Sequence, residues 1–562
     1  METRSCQNCK KDFVIAPEDF DFYKKISVTP PTWCPECRQL RRYAWRNERT
    51  LYRRNCDLCG KSTVTIYSPN KPHKVYCNEC WWGDGWDASS YGRDFDFNRP
   101  FFEQFHELQL EVPRMALLNK RSVNSEYTNH SGDNKNVYLS ISSFFNENVY
   151  YSNWVFYSRD CMDCYYVREK GERMYGCMDV IKSYQCQYNF LMRDCVNVHY
   201  SHDMHGCTDC FLSYNLRNKK YCFKNEEHPR KEYMKKVSEY DLGSFAVREK
   251  LYREFVEMIA NQAIHKYVTG EFNINALGNM FTHVKNSSFI FDAERVENSK
   301  YMYSVLGIRD SFDCYHVGLE CEQIYEAQGC TRVSNCQFCH LCYDNMNVMY
   351  GDTCQNSQNL FGCISVKKGE YMILNKKYSK DEYEKLRTKI IDHMKKTREF
   401  GEFMPPSIAP VCYNETQGQR YLPMTKEEVL RRGWQWEDKI LGTYGKETME
   451  PEDIPDNIKD IKDDITKEVL KCINCSKNYN IVPYEFTFYK NENMPIPRLC
   501  FDCRYMRWFN LRPPRKLWHG KCRCNLENHD HNGLCPNEFE TAFAPERKEK
   551  VYCESCYNKE IY

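Results

Sequence analysis

The phrase KVYCNEC at Lys74–Cys80 returns as KVYCESC at Lys550–Cys556, and each copy closes a series of C-x2-C pairs whose spacing is kept. The first end carries Cys6/Cys9, Cys34/Cys37, Cys56/Cys59 and Cys77/Cys80; the last carries Cys472/Cys475, Cys500/Cys503, Cys522, Cys524, Cys535 and Cys553/Cys556. Cys9 to Cys34 and Cys475 to Cys500 both span 25 positions, Cys37 to Cys56 and Cys503 to Cys522 both span 19, and Cys59 to Cys77 and Cys535 to Cys553 both span 18. Residues between the pairs match too: Phe22, Tyr23 and Lys24 fall on Phe488, Tyr489 and Lys490, Arg38 on Arg504, and Arg46 on Arg512. Paired knuckles at this separation gather four thiolates on one tetrahedral zinc ion. Four Zn2+ sites are therefore expected, two at each end. They fold modules too small to bury a core unaided and leave no open position for hydrolysis. Between Cys522 and Cys535 the insertion CRCNLENHDHNGLC leaves one cysteine too many. Either Cys524 or Cys535 is the second ligand there, with His529 or His531 able to compete.

The stretch CQNCKKDFVIAPEDFDFYKKISVTPPTWCPECR, with its aromatic pair, its proline and its closing C-x2-C-R, resembles a bacterial zinc-ribbon family of treble-clef type. CINCSKNYNIVPYEFTFYKNENMPIPRLCFDCR repeats the pattern. The resemblance implies zinc binding and brings no activity with it; the complete layout is similar to large zinc-ribbon proteins of bacteria.

Between the ends the chain is duplicated. ENVYYSNWVFYSRDCMDCYYV at Glu147–Val167 aligns without gaps to ENSKYMYSVLGIRDSFDCYHV at Glu297–Val317, an offset of 150. Within each copy short apolar and aromatic runs (KNVYLS, ENVYYS, MDCYYV, VNVHYS, TDCFLS) recur every 10 to 15 residues, each preceded by a polar residue. Runs this short and rich in strand formers predict strands, and the pace predicts a parallel β-solenoid with Asn and Asp at its corners; an antiparallel sandwich or barrel is the alternative. Sixteen of the 34 cysteines fall here, among them Cys161, Cys164, Cys336, Cys339 and Cys342. Further metal sites or an iron–sulfur cluster are one reading. The copies argue for core thiols instead, because Cys161 becomes Ser311 and Cys207 becomes Ser357, a small-for-small exchange that a stacked interior tolerates.

The expected organisation is a mainly β, multidomain chain: zinc modules at 1–55 and 56–90, a helical connector at 91–118, and solenoid copies at 119–228 and 271–379 around a helical insert at 229–270. A helix and acidic linker follow at 380–470, then zinc modules at 471–521 and 522–562. The insert should break near Gly243 and pack through Leu251, Phe255, Ile259 and Ile264.

With 79 Lys and Arg against 78 Asp and Glu, no global field points to nucleic acid or membrane. No window has signal-peptide or membrane-span character, so a cytoplasmic protein is expected. The charge is local. Arg38, Arg41, Arg42, Arg46, Arg49, Arg53 and Arg54 interleave with Trp45 between the first two zinc sites, and Arg504, Arg507, Arg512, Arg515 and Lys516 with Trp508 between the last two. Guanidinium groups and aromatic faces suit phosphates and bases, which makes nucleic acid, RNA above all, the expected partner. The bland alternative is pairing with the modules' own acids. A second class is a structural or protein-interaction scaffold. The third is a carbohydrate-active β-helix enzyme using residues such as Arg159, Asp160, Asp163, Arg309, Asp310 and Asp313; no nucleophile with an evident base supports it, and these read better as turn residues. His199, His202 and His205 do not share a strand face, so they are not expected to form a metal triad.

Overall fold

The computed structural model describes residues 1–562 apart from 317, 323, 324, 327, 330–339, 341–344 and 441. The chain divides into two compact units. One comprises Met1–Leu117, Val268–Ile440 and Arg515–Leu517; the other comprises Leu118–Tyr267, Leu441–Pro514 and Trp518–Tyr562. Each unit thus joins one end of the sequence to the copy of the duplicated middle that is farther from it in sequence.

In the second unit the short apolar runs form a twelve-stranded sheet. Its neighbours are parallel and offset by twelve residues: Glu147 pairs with Arg159, Asn153 with Tyr165, and Phe190 with His202, which in turn pairs with Tyr214. One step is thirteen, Arg159 to Glu172, where Glu169 and Lys170 both take positive φ and absorb the extra residue. The first unit keeps the same register, with Ser288 beside Lys300 and Met346 beside Gln358, itself beside Glu370. Parallel pairing sets aside the antiparallel sandwich. Each run closes on a single antiparallel turn, Cys222 to Glu227 in one and Met372 to Lys377 in the other.

Positive φ recurs at every third residue: Asn136, Leu139, Ser142, Phe145, Asn148, Tyr151, Trp154 and Tyr157 form one such run. Asn and Asp were expected at such positions, yet Tyr, Trp and Leu also occupy them, at a cost of order 1–3 kcal/mol each. Stacking between equivalent side chains twelve residues apart offsets that cost. Phe145 lies on Tyr157 at 4.8 Å, Trp154 on Tyr166 at 5.2 Å and Tyr188 on Tyr200 at 4.8 Å. Where amides hold the same position they form a ladder, Asn124 to Asn136 to Asn148 to Asp160, at 3.1, 3.0 and 2.8 Å.

The sheet interior holds Val149, Val155, Val167 and Val180 with Cys161, Cys164, Cys177, Cys186 and Cys195, all buried. The thiols of Cys161, Cys164 and Cys195 donate to the carbonyls two residues earlier, at 3.2–3.3 Å. Ser152 and Ser158 make the same bond from their hydroxyls, each at 2.9 Å. A thiol and a hydroxyl therefore do one job here, which is why Cys and Ser exchange between copies. Cys336, Cys339 and Cys342 lie outside the described residues.

The insert breaks as expected into helices Arg230–Ser238 and Phe245–Asn261, burying Leu251, Phe255 and Ile259. Ile264 departs from the helical expectation. It lies in a strand, Ile264–Lys266, that runs parallel to Lys550–Tyr552, because the last module offers an edge that a further helical turn could not pair. The acidic stretch before the third module also differs from an open linker. Its Ile454, Ile458, Ile461 and Ile465 are buried against Phe486 and Tyr489, so the apolar residues spaced along it serve as packing. No helix among the described residues is long and apolar enough to cross a membrane.

Burial leaves several imidazoles neutral. It pushes His199 and His202 down to about 3, with Arg248 and His265 respectively adding to the effect, and it lowers His73 to about 3 and His340 to about 4. Their folded pKa values lie below the unfolded value near 6.5, so the unfolded chain binds more protons as pH falls through that point. Their contribution to stability is whole above about pH 6.5 and declines toward pH 3–4. The urea midpoint should therefore drop between about pH 7 and pH 5. His202→Phe, which keeps a ring beside Phe190 at 5.1 Å, should reduce that drop; an unchanged slope would show that His202 is not part of it.

Candidate metal centres and the arginine helices

Each pair of knuckles is built from a hairpin and a helix start. Strands Glu2–Ser5 and Asp12–Ile15 present Cys6 and Cys9, while Cys34 caps the helix Pro35–Tyr43 and Cys37 sits in its first turn. The same construction places Cys56 and Cys59 beside Cys77 and Cys80, and Cys472 and Cys475 beside Cys500 and Cys503. In these three knuckles a residue at positive φ, Lys10, Gly60 or Ser476, turns its N–H back to the carbonyl of the first cysteine at 2.9–3.0 Å. The turn aims both sulfurs to one side.

The sulfurs converge. Cys9 lies 3.8 Å from Cys34, Cys59 3.9 Å from Cys77, and Cys475 3.6 Å from Cys500. These are far longer than a disulfide. They match the edge of about 3.8 Å expected between sulfurs bonded at about 2.3 Å to a tetrahedral ion. The donors favour thiolates. The Cys34 and Cys77 amides donate to Cys6 and Cys56 at 3.2 Å, and Asn8 and its counterpart Asn474 donate to Cys37 and Cys503 at 3.2 and 3.4 Å. The Cys37 thiol holds Cys34 down at about 5, and that of Cys500 holds Cys472 down at about 4. Four cysteine tetrads that could hold a metal result, each with four sulfur ligands and no open coordination position.

The fourth tetrad settles the surplus cysteine. Cys522, Cys535, Cys553 and Cys556 form it, with Cys535 4.0 Å from Cys553 and 3.7 Å from Cys556. Cys524 falls in a separate group with His529, His531 and, again, Cys556.

The arginines expected to meet phosphate face inward. Arg38, Arg41, Arg42, Arg46 and Arg49 are buried, as is Trp45. Arg38 Nε meets Asp313 Oδ2 at 3.0 Å, and Arg42 reaches the same carboxylate at 3.3 Å. Arg41 bridges Glu326 at 2.7 Å and Glu402 at 2.5 Å, and Arg46 pairs with Glu48 at 2.5 Å. In the second unit Arg504 meets Asp163 at 3.3 Å and Glu485 at 3.0 Å, Arg507 meets Glu249 at 2.6 Å, and Arg512 meets Asp179 at 3.3 Å. Arg515, which belongs to the first unit, meets Asp292 at 2.7 Å. Trp508 is buried beside Tyr188 and Tyr252, and its ring lies where a side chain at Gly176, held at φ +56°, would clash. Arg54 pairs with Asp57 at 3.1 Å, and Arg53 and Lys516 are exposed. Pairing within the modules was the expected alternative to phosphate; Glu48, Asp57 and Glu485 fit it, whereas Asp163, Asp179, Asp292, Asp313 and Glu326 lie in the duplicated copies.

The two dockings are the same contact made twice. Arg504 corresponds to Arg38 between the ends, and Asp163 corresponds to Asp313 between the copies. Arg38 also lies over Tyr301 at 5.2 Å and Arg504 over the corresponding Tyr151 at 4.6 Å. Tyr23 meets Tyr325 edge-on at 5.7 Å, and Tyr489 meets Tyr175 edge-on at 6.0 Å. Sequence reasoning missed this pairing, although both halves of it were visible as retained residues in two separate alignments.

The acids proposed for sugar chemistry are likewise engaged. Asp163 and Asp313 hold arginines, Asp160 accepts from Asn148 and Tyr484 at 2.8 Å, and Arg159 pairs with Glu172 at 2.6 Å. Asp310 accepts from Asn298 at 3.1 Å, and Arg309 faces Glu297 at 3.5 Å. His199 bonds Asn197 at 2.9 Å, and His205 faces Asp203 at 3.6 Å.

No family model matches this chain, and no curated protein does. Among solved structures, one from Desulfovibrio desulfuricans G20 described as a putative acetyltransferase is similar over 47% of this chain and 68% of its own, at 9% identity. Its TM-score of 0.11 is too low to inform fold or activity.

Proposed function

We propose that the protein is a non-catalytic scaffold in which zinc-ribbon pairs of treble-clef type clamp a duplicated β-solenoid wound at twelve residues per turn. The first zinc ion of each pair, held by four thiolates, sets the start of a helix whose arginine enters the solenoid flank. One observation carries this reading: the corresponding arginines Arg38 and Arg504 are buried on the corresponding aspartates Asp313 and Asp163. An enzyme is disfavoured because its candidate acids are occupied by structural partners. Other protein chains are the ligands such a scaffold would take, and exposed stacked aromatics such as Phe145 and Tyr157 supply apolar surface for them.

RNA recognition through the arginine helices competes with this reading and is tested against it. Full-length protein titrated with single-stranded RNA at about 50 and 200 mM salt should bind weakly, with a slope equivalent to fewer than about two phosphate contacts. A steep slope that falls on Arg53→Glu with Lys516→Glu would overturn the scaffold reading in favour of nucleic acid.

A further inference from the structure

Arg523–Leu534 puts twelve residues where the second module has only Asp57 and Leu58, and that module closes its tetrad without the ten extra. The insertion brings three donors, Cys524, His529 and His531, and all three converge on a sulfur already in use. Cys524 Sγ lies 3.3 Å from His529 Nδ1, and Cys556 Sγ lies 3.5 Å from His531 Nε2. The four donor atoms are within 4.8 Å of one another. A tetrahedral ion with sulfur at about 2.3 Å and nitrogen at about 2.0–2.1 Å sets S···N edges near 3.5 Å.

Both imidazoles are oriented from behind. His531 Nδ1 lies 2.8 Å from the Gly533 carbonyl, which can only accept, so Nδ1 carries the proton and Nε2 turns a lone pair toward Cys556. His529 Nε2 faces the Glu560 carboxylate at 3.6 Å, with Nδ1 on the Cys524 side. A carboxylate or carbonyl behind each ligating imidazole is the arrangement that fixes tautomer and ring direction at metal sites. Cys556 meanwhile keeps its place in the tetrad, 3.7 Å from Cys535.

We infer that the last module holds two metal ions, the second bound by Cys524, His529, His531 and Cys556, with the Cys556 sulfur bridging both. Zinc is the ion this donor set suits. Five thiolates and two neutral imidazoles around two divalent ions leave one net negative charge, against two for a lone four-thiolate site, so the shared sulfur also relieves charge. The inference depends on the proposed zinc loading of the tetrads, and the test separates the two.

Full-length protein, dialysed and analysed for metal, should carry about five zinc ions per chain, and His529→Ala with His531→Ala should carry about four. Cys524→Ser should give the same loss by a different ligand. After exchange into 113Cd, wild type should show scalar coupling between two cadmium resonances through the shared sulfur, and the histidine variant should lose both the coupling and one resonance. Four ions in wild type, unchanged by either variant, overturn the bridged site and leave the clamps intact. Fewer than four in wild type overturn the clamps and the bridged site together.

Discussion

On the proposed zinc loading, a strong chelator at neutral pH is expected to abolish the modules of the full-length protein and to lower the melting temperature of the remainder by tens of degrees. Structural zinc contributes on the order of 10–16 kcal/mol per ion to folding of such modules, whereas a whole domain is stable by about 5–15 kcal/mol. The third module shows where a metal would act. Around its tetrad the core is Cys472, Leu499 and Cys500, with Cys475, Cys503 and Tyr479 packed beside them, and four of these six residues are the tetrad cysteines, while Phe486, Phe488 and Tyr489 pack in a separate cluster with Ile454 and Ile465. Without the ion, thiolates at 3.6 Å repel, Cys500 no longer caps the helix Phe501–Phe509, and Arg504 leaves Asp163. Circular dichroism and limited proteolysis, read with and without restored zinc, check the expectation. A chelated chain that melts at the same temperature and resists protease equally would remove zinc from the account of stability.

Much of this arrangement was legible in the sequence because the constraints are local. A four-cysteine cluster is specified by spacing, so Cys6 to Cys37 and Cys472 to Cys503 group themselves by their intervals alone. The repeat pace of the middle was legible for a similar reason, since a fixed twelve-residue register leaves equivalent side chains such as Phe145 and Tyr157 in every round. What could not be read was which surface met which. The Arg38–Asp313 pair is separated by 275 residues, and a charged stretch looks the same whether it faces RNA or a carboxylate inside the same chain. The aspartates misled further, since Asp163 stands in a turn-like context where a backbone-binding role was the natural expectation. Ligand choice at the last module was ambiguous for a physical reason too: the spare donors form a group of their own that shares Cys556 with the tetrad.

The second large effect is expected at the buried ion pairs. Arg504→Met should destabilise the unit that holds it by about 3–5 kcal/mol, the usual cost of leaving one member of a buried pair alone. Asp163 shows how exposed to this loss the site is. Burial already pushes its carboxyl up to about 7, with Arg504 pulling it down and Glu485 adding to the rise. Without the guanidinium the carboxyl must take up a proton to stay folded, so the variant should lose most stability above pH 7 and recover part of it as pH falls through the raised pKa. The sign is that of a carboxyl whose folded value lies above its unfolded value near 3.9: stability is retained while it is protonated and lost as pH rises. Adding Asp163→Leu to Arg504→Met should restore part of the loss, because Asp163 no longer leaves an orphaned charge while buried Glu485, which Arg504 also meets at 3.0 Å, still does. The cycle at Arg38 and Asp313 should behave alike in the other unit, moderated by Arg42, which lies 3.3 Å from the same carboxylate. Calorimetric unfolding of the single and double variants across pH measures both couplings. Additive losses in both cycles would mean that the arginines merely pack against tyrosine, and the repeated clamp would lose its electrostatic basis.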